Sequence, residues 1–152
     1  MFELPIIDIQ VASTHAYLPP VEALENWIGH VLRAHNNVKV ELTLRLVDEE
    51  EMTHLNTVYR RKSGPTNVLS FPAEGMVEDD IPLLGDVVVC AGIVYQEALD
   101  QAKPVEAHWA HIIVHGVLHL LGYDHQQHQA AALMEAQERM LLAELGIKDP
   151  YE

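Results

Sequence analysis

LGDVVVCAGIV, residues 84–94, decides the architecture. It holds the most continuous β-branched run in the chain, and a stretch that stays apolar rather than alternating suits a strand buried on both faces. A central strand is predicted here, passing into a helix over about residues 93–102 that ends before Pro104. Upstream, VKVELTLRLVD (38–48) alternates Val38, Val40, Leu42, Leu44 and Leu46 with Lys39, Glu41, Thr43 and Arg45. That period of two is the mark of a half-buried strand. PIIDIQVA (5–12) reads as another strand, and THAYLPP as a break. In VEALENWIGHVLRAH (21–35) the apolar side chains recur at three and four, so one helical face packs inward until Asn36 and Asn37 end it. Asp48 is predicted to cap the helix EEEMTHLNTVYR (49–60), with Glu49–Glu51 at the positive end of its dipole. TNVLSFP (66–72) is a short strand stopped by Pro72, and residues 73–83 read as a loop. Two more helices are expected, Val105–Leu121 and about Gln126–Leu145, the second stopped by Gly146. The order predicts a layered α+β or α/β-like domain spanning residues 1–152.

A chain of 152 residues with 49% hydrophobic composition can bury one sizeable core. The single cysteine, Cys90, excludes an intrachain disulfide and a cysteine-rich zinc module, which fits a reducing compartment. MFELPIIDIQ has no basic segment leading into an apolar core, so no secretory signal is expected. The apolar stretch in 110–121 falls short of the about 20 residues of a membrane span. A cytoplasmic protein is the expectation. Nine Lys and Arg against 23 Asp and Glu give a net charge of −14, which repels a polyanion at long range. A nucleic-acid role therefore needs a local exception, and the consecutive Arg60, Arg61 and Lys62 supply the one candidate, with a solvated loop as the competing reading.

The chemistry lies in HGVLHLLGYDH (115–125). Helical positions four apart differ by about 40° in direction and about 6 Å in height, so His115 and His119 share one face on successive turns. A helix continued six residues beyond His119 would turn by about 600° and leave His125 about 120° away. Gly122 can adopt the left-handed conformation that ends a helix and returns the chain, which lets His125 join the pair. His111 extends the stripe, but 111, 115 and 119 span about 12 Å on a straight helix, too far for bonds of about 2 Å to one ion. His115, His119 and His125 are thus the predicted metal ligands; His111 and His108 fall to supporting, core or surface roles, and His128 to the surface. Three neutral imidazoles suit one Zn²⁺, with another divalent transition metal also possible. A fourth position open to water makes a catalytic site, and closure by Cys90 a structural one; Cys90 reads as a small buried thiol in an apolar strand, which favours the open site. The spacing is that of the metzincin proteases, His-Glu-x-x-His-x-x-Gly-x-x-His, except that Gly116 stands where their general base would be. A bound ion still activates water and polarises a phosphoryl oxygen, and a nearby arginine offsets charge on the phosphate.

Three stretches, LNTVYRRKSGPTNVLSFP (55–72), LLGDVVVCAGIV (83–94) and HIIVHGVLHLLGYDH (111–125), resemble in sequence and order the YbeY family of bacterial endoribonucleases, over about residues 38–145. The resemblance implies a mixed four-stranded sheet surrounded by about five helices, with a three-histidine site, usually zinc, in a cleft. It places the ligands on His115, His119 and His125 and the functional arginine on Arg60. It also implies cleavage of single-stranded RNA, maturation of the 3′ end of small-subunit ribosomal RNA, ribosome biogenesis and quality control. The partners implied are RNA and ribosome-associated factors, with neither DNA nor a membrane. Asn67 occupies a position where the family carries aspartate or asparagine.

Two alternatives stand beside the nuclease: a non-catalytic ribosome-assembly factor with a structural metal, and a metallopeptidase drawing its base from elsewhere in the chain, such as Glu97 or Glu106. Arg60 has a competing role as salt-bridge partner of the acidic helix. Asp124 either orients a histidine or forms a turn. Ser70 and Thr66 either touch substrate or serve packing and turn hydrogen bonds. Trp27 and Trp109, at apolar helical positions, are read as core.

Overall fold

The computed structural model describes residues 4–73 and 81–152. Most of the expected 73–83 loop, including the acidic Glu78–Asp80, lies outside the described residues. The elements run β1 (Ile6–Val11), α1 (Val21–Ala34), β2 (Glu41–Val47), α2 (Glu49–Arg60), β3 (Val68–Pro72), β4 (Leu83–Cys90), α3 (Ala91–Asp100), α4 (Val105–Leu120) and α5 (His128–Glu144). The sheet order is β1-β2-β4-β3, with β1–β2 and β2–β4 parallel and β3 antiparallel to β4. Among the described residues this is an α+β fold with a mixed four-stranded sheet and five helices.

β4 lies inside the sheet, as its apolar run predicts. Val87 and Val89 enter the main core with Leu42, Leu44 and Leu46 of β2, Trp27 and Ile28 of α1, and Trp109, Ile113 and Val117 of α4. Val88 and Cys90 face the opposite side, where Met52 of α2 packs with Val47 and Leu69. Both tryptophans are core residues, as expected. Pro72 falls on edge strand β3, where the missing N–H is tolerated.

Helix α3 begins at Ala91, two residues before its expected start. Cys90 pairs with Val47, the last residue of β2, so the strand runs out of partner there. The predicted side-chain cap is also corrected. Asp48 sits at the N-cap of α2 with extended backbone, but its carboxylate makes no cap hydrogen bond. It accepts instead from Ser13 Oγ (2.6 Å), Thr14 Oγ1 (2.8 Å) and the Thr14 N–H. Three donors outside the helix offset the loss of one helical N–H, and they hold its carboxyl below the usual carboxylate range.

The seat of α4 on the sheet positions everything at the site. A Cβ at Gly116 would lie 2.7 Å from Val87 Cγ1 and 3.3 Å from Val68 Cγ2, so the helix backbone rests directly on β3 and β4. Ser70 Oγ locks the contact by donating to the Gly116 carbonyl at 2.8 Å. Gly116→Ala is therefore expected to lower stability by about 1–3 kcal/mol, the usual cost of overpacking. Alanine gains about 1 kcal/mol over glycine in a helix interior, so a fall in the urea or thermal midpoint isolates the clash.

Candidate metal centre

His115 and His119 project from one face of α4, and their Nε2 atoms stand 3.2 Å apart. After α4 ends, Gly122 takes φ +103°. Its N–H donates to the His119 carbonyl, and the Tyr123 N–H to Leu118, the paired bonds of a Schellman helix end. The return brings His125 Nδ1 to 2.9 Å from His119 Nε2. Tyr123 fastens the turn to α1 by donating its hydroxyl to His35 Nε2 (3.0 Å), while His35 Nδ1 donates to the Val31 carbonyl (2.9 Å).

One ligand atom from each of the three histidines lies within 4.8 Å of the others. Around a tetrahedral ion with bonds of about 2.0–2.1 Å, neighbouring nitrogens stand about 3.3–3.4 Å apart. The donor set is therefore of the right kind and nearly the right spacing to hold a transition metal. His119 is suited to the task because its pKa is lowered to about 4. Burial is the main cause and His115 and His125 add to it, against an opposing hydrogen bond with the Tyr123 backbone and the charge of Asp124. Its ring stays in the neutral, ligating form through the neutral range.

The triad opens into a cleft of about 480 Å³. Arg60 and Lys62 line it together with Thr66, Asn67, Ser70 and Asp124. Arg60 is the last residue of α2, and Arg61 turns the chain with φ 55°, so the basic triplet is split. Its first and third members reach the cleft; Arg61 is not among the lining residues. The arginine ion pairs among the described residues join Arg45 to Glu51 and Arg139 to Glu135 and Asp149, which leaves Arg60 outside them. Cys90 is buried in the α2-side core, and burial pushes its thiol up. Asp124 Oδ1 accepts from the Gln126 N–H, the turn role, and His128 is exposed.

Both glutamates weighed as alternative bases lie elsewhere. Glu97 accepts from His108 Nε2 (2.9 Å) and from Asn67 Nδ2. Burial alone would raise it, but these bonds prevail and hold it below its ordinary value. Glu106 is exposed in the first turn of α4, about 13 Å along the axis from His115.

Sequence reasoning missed Glu138. This carboxylate, 1% exposed, accepts from His115 Nδ1 (3.0 Å), His111 Nε2 (2.9 Å) and the Tyr151 hydroxyl. Burial would raise its pKa, but the three bonds hold it at about 2. The available signal is an acid in a buried helical stripe, between Met134 and Leu141.

The lowered pKa of His119 has a stability consequence. Below its ordinary value of about 6.5 the unfolded chain takes up the proton first, so the metal-free fold loses stability as pH falls from about 6.5 to 4. Below that range the group contributes no further loss. Thermal midpoints in EDTA should fall across this window, and the fall should be shallower for His119→Ala.

Comparison with known proteins agrees with this construction. The solution structure of TM1509 from Thermotoga maritima aligns with 95% of this chain and 99% of its own, at TM-score 0.57 and 25% identity. The sequence profile of the family described as endoribonuclease YbeY matches residues 8–146, which takes in the basic loop, β4 and all three histidines. A match of that extent settles the kinship: the chain belongs to the YbeY endoribonuclease family.

Proposed function

We propose that this chain is a one-domain, single-strand-specific, metal-dependent endoribonuclease that matures ribosomal RNA, including the 3′ end of the small-subunit RNA, and serves ribosome biogenesis and quality control in the cytoplasm. The observation that carries the reading is the convergence of three imidazole nitrogens in a cleft that Arg60 and Lys62 also line. Family membership supports RNA as the substrate and endonucleolytic cleavage as the reaction. His115, His119 and His125 are assigned as metal ligands, with Zn²⁺ the preferred occupant of a neutral three-imidazole set.

Bound there, the ion supplies Lewis acidity toward a phosphoryl oxygen and activates water near neutral pH. The side chains do the rest. Arg60 presents a planar fork of donors that matches phosphate oxygens, so it is assigned to the scissile phosphate. Lys62 adds a point charge for the same group or its neighbour. Ser70 has committed its proton to the Gly116 carbonyl, so toward substrate it acts as an acceptor. Among the described residues the candidate metal cluster has three members, which supports an open fourth position over a closed structural site. The engagement of Glu97 by His108 and Asn67 and the distance of Glu106 weigh against the peptidase reading.

His119→Ala is expected to lose both bound metal and RNA cleavage. Arg60→Ala should keep its metal and lose about 10²–10³-fold in turnover, the scale for removing one preorganised electrostatic donor. Metal analysis beside cleavage of single-stranded RNA checks both, and undiminished cleavage in the two variants would assign the activity to a contaminant. With two cleft cations, log affinity should fall against log salt with a slope of about −1.4, at about −0.7 per phosphate contact. Lys62→Ala should reduce that slope by about half.

A further inference from the structure

Glu138 is placed to do more than fill the core. Oε2 accepts from both His115 Nδ1 and His111 Nε2, while Oε1 accepts from the Tyr151 hydroxyl. An ionised carboxylate only accepts, so the proton of His115 must sit on Nδ1. That leaves Nε2 as a lone pair, and it is the atom that faces His119 Nε2 at 3.2 Å. Were the proton on Nε2 instead, His115 would present N–H to the ion and Glu138 would face a lone pair.

Tyr151 comes from the segment that follows α5, and that segment is fixed in place. Arg139 Nε donates to Asp149 while its guanidinium lies 5.1 Å from the centre of the Tyr151 ring. The Tyr151 N–H donates to Asp149 Oδ1, and Lys103 Nζ donates to the Pro150 carbonyl at 2.6 Å. The hydroxyl is thus held against Glu138 from outside the α4–α5 pair.

We propose that Glu138 is a positioning residue of the metal centre, fixing His115 in the tautomer that ligates through Nε2, and that Tyr151 holds the Glu138 carboxylate in the required orientation. The proposal rests on the reading of the triad as a metal site. Glutamine at 138 keeps the shape but removes the carboxylate charge that faces His115 Nδ1, and it replaces one acceptor oxygen with a donor. Carboxylates behind ligating histidines generally matter in this way.

The test measures Zn²⁺ affinity by chelator competition, and His115 ring-nitrogen shifts by NMR on the metal-free protein. The expected results are an Nδ1–H tautomer for His115 in the wild type and an affinity about 10–100-fold weaker in Glu138→Gln. Tyr151→Phe should weaken binding about threefold, and add nothing in the Glu138→Gln background, since it acts through that carboxylate. Circular dichroism in EDTA establishes that each variant is folded. Wild-type affinity in folded Glu138→Gln, or an Nε2–H tautomer in the wild type, overturns the proposal while leaving the metal site standing. A wild type that binds no Zn²⁺ overturns both. Should Glu138→Gln fail to fold, the wild-type tautomer and the Tyr151→Phe affinity decide: the Nδ1–H form with weakened binding supports the proposal, and failure of either result rejects it.

Discussion

The close approach of the α4 backbone to β3 and β4 at Gly116 is the constraint on which the site depends. With no side chain there, the helix rests on Val87 and Val68, and the Ser70 hydroxyl bonds to its carbonyl. The same strand that receives the helix carries Ser70 into the cleft, and the loop before it carries Thr66 and Asn67. The histidine face of α4 is therefore set at a fixed height over the strand that borders the cleft. Gly116 is informative chemically because it lacks a carboxylate, and structurally because a side chain there would meet Val87. One glycine links the fold to the loss of the protease base.

Around that seat, short-range devices complete the triad and long-range ones steady it. The Schellman end at Gly122 acts within six residues to return His125 to His119. Tyr123 then ties the turn to His35, 88 residues away in the chain. A half-buried and a buried acid bind histidines of α4: Glu97 holds His108 and Asn67, and Glu138 holds His111 and His115. Buried carboxylates are costly unless their lone pairs are met. Here Glu97 is met by His108 of α4 and Asn67 of the cleft wall, and Glu138 by His111 and His115 of α4 and by Tyr151 from the segment after α5, so the same bonds that offset desolvation also order the site.

Much of this was legible in the sequence because it depends on local periodicity. The β-branched run marked β4 as buried, the alternation from Val40 to Leu46 marked the inward face of β2, and the spacing of 115, 119, 122 and 125 marked the histidine turn. The remainder depended on tertiary geometry. No local rule indicates that Asp48 will leave its helix for Ser13 and Thr14, because the alternative donors lie 34–35 residues away. The split of Arg60 and Lys62 from Arg61 follows from the left-handed turn at Arg61, a non-glycine residue that composition does not single out. Glu138 could be suspected only from its place in a buried stripe; its partners 23 and 27 residues upstream could not. The net charge of −14 warned against nucleic acid, and the fold answers by bringing two of nine basic residues to the cleft.

X-ray absorption at the metal edge of the Zn²⁺-loaded chain tests the central claim most directly. The account predicts three imidazole nitrogens at about 2.0–2.1 Å and one exchangeable oxygen, the signature of a three-histidine site with an open position. A fourth protein ligand, or fewer than three imidazoles, would contradict it.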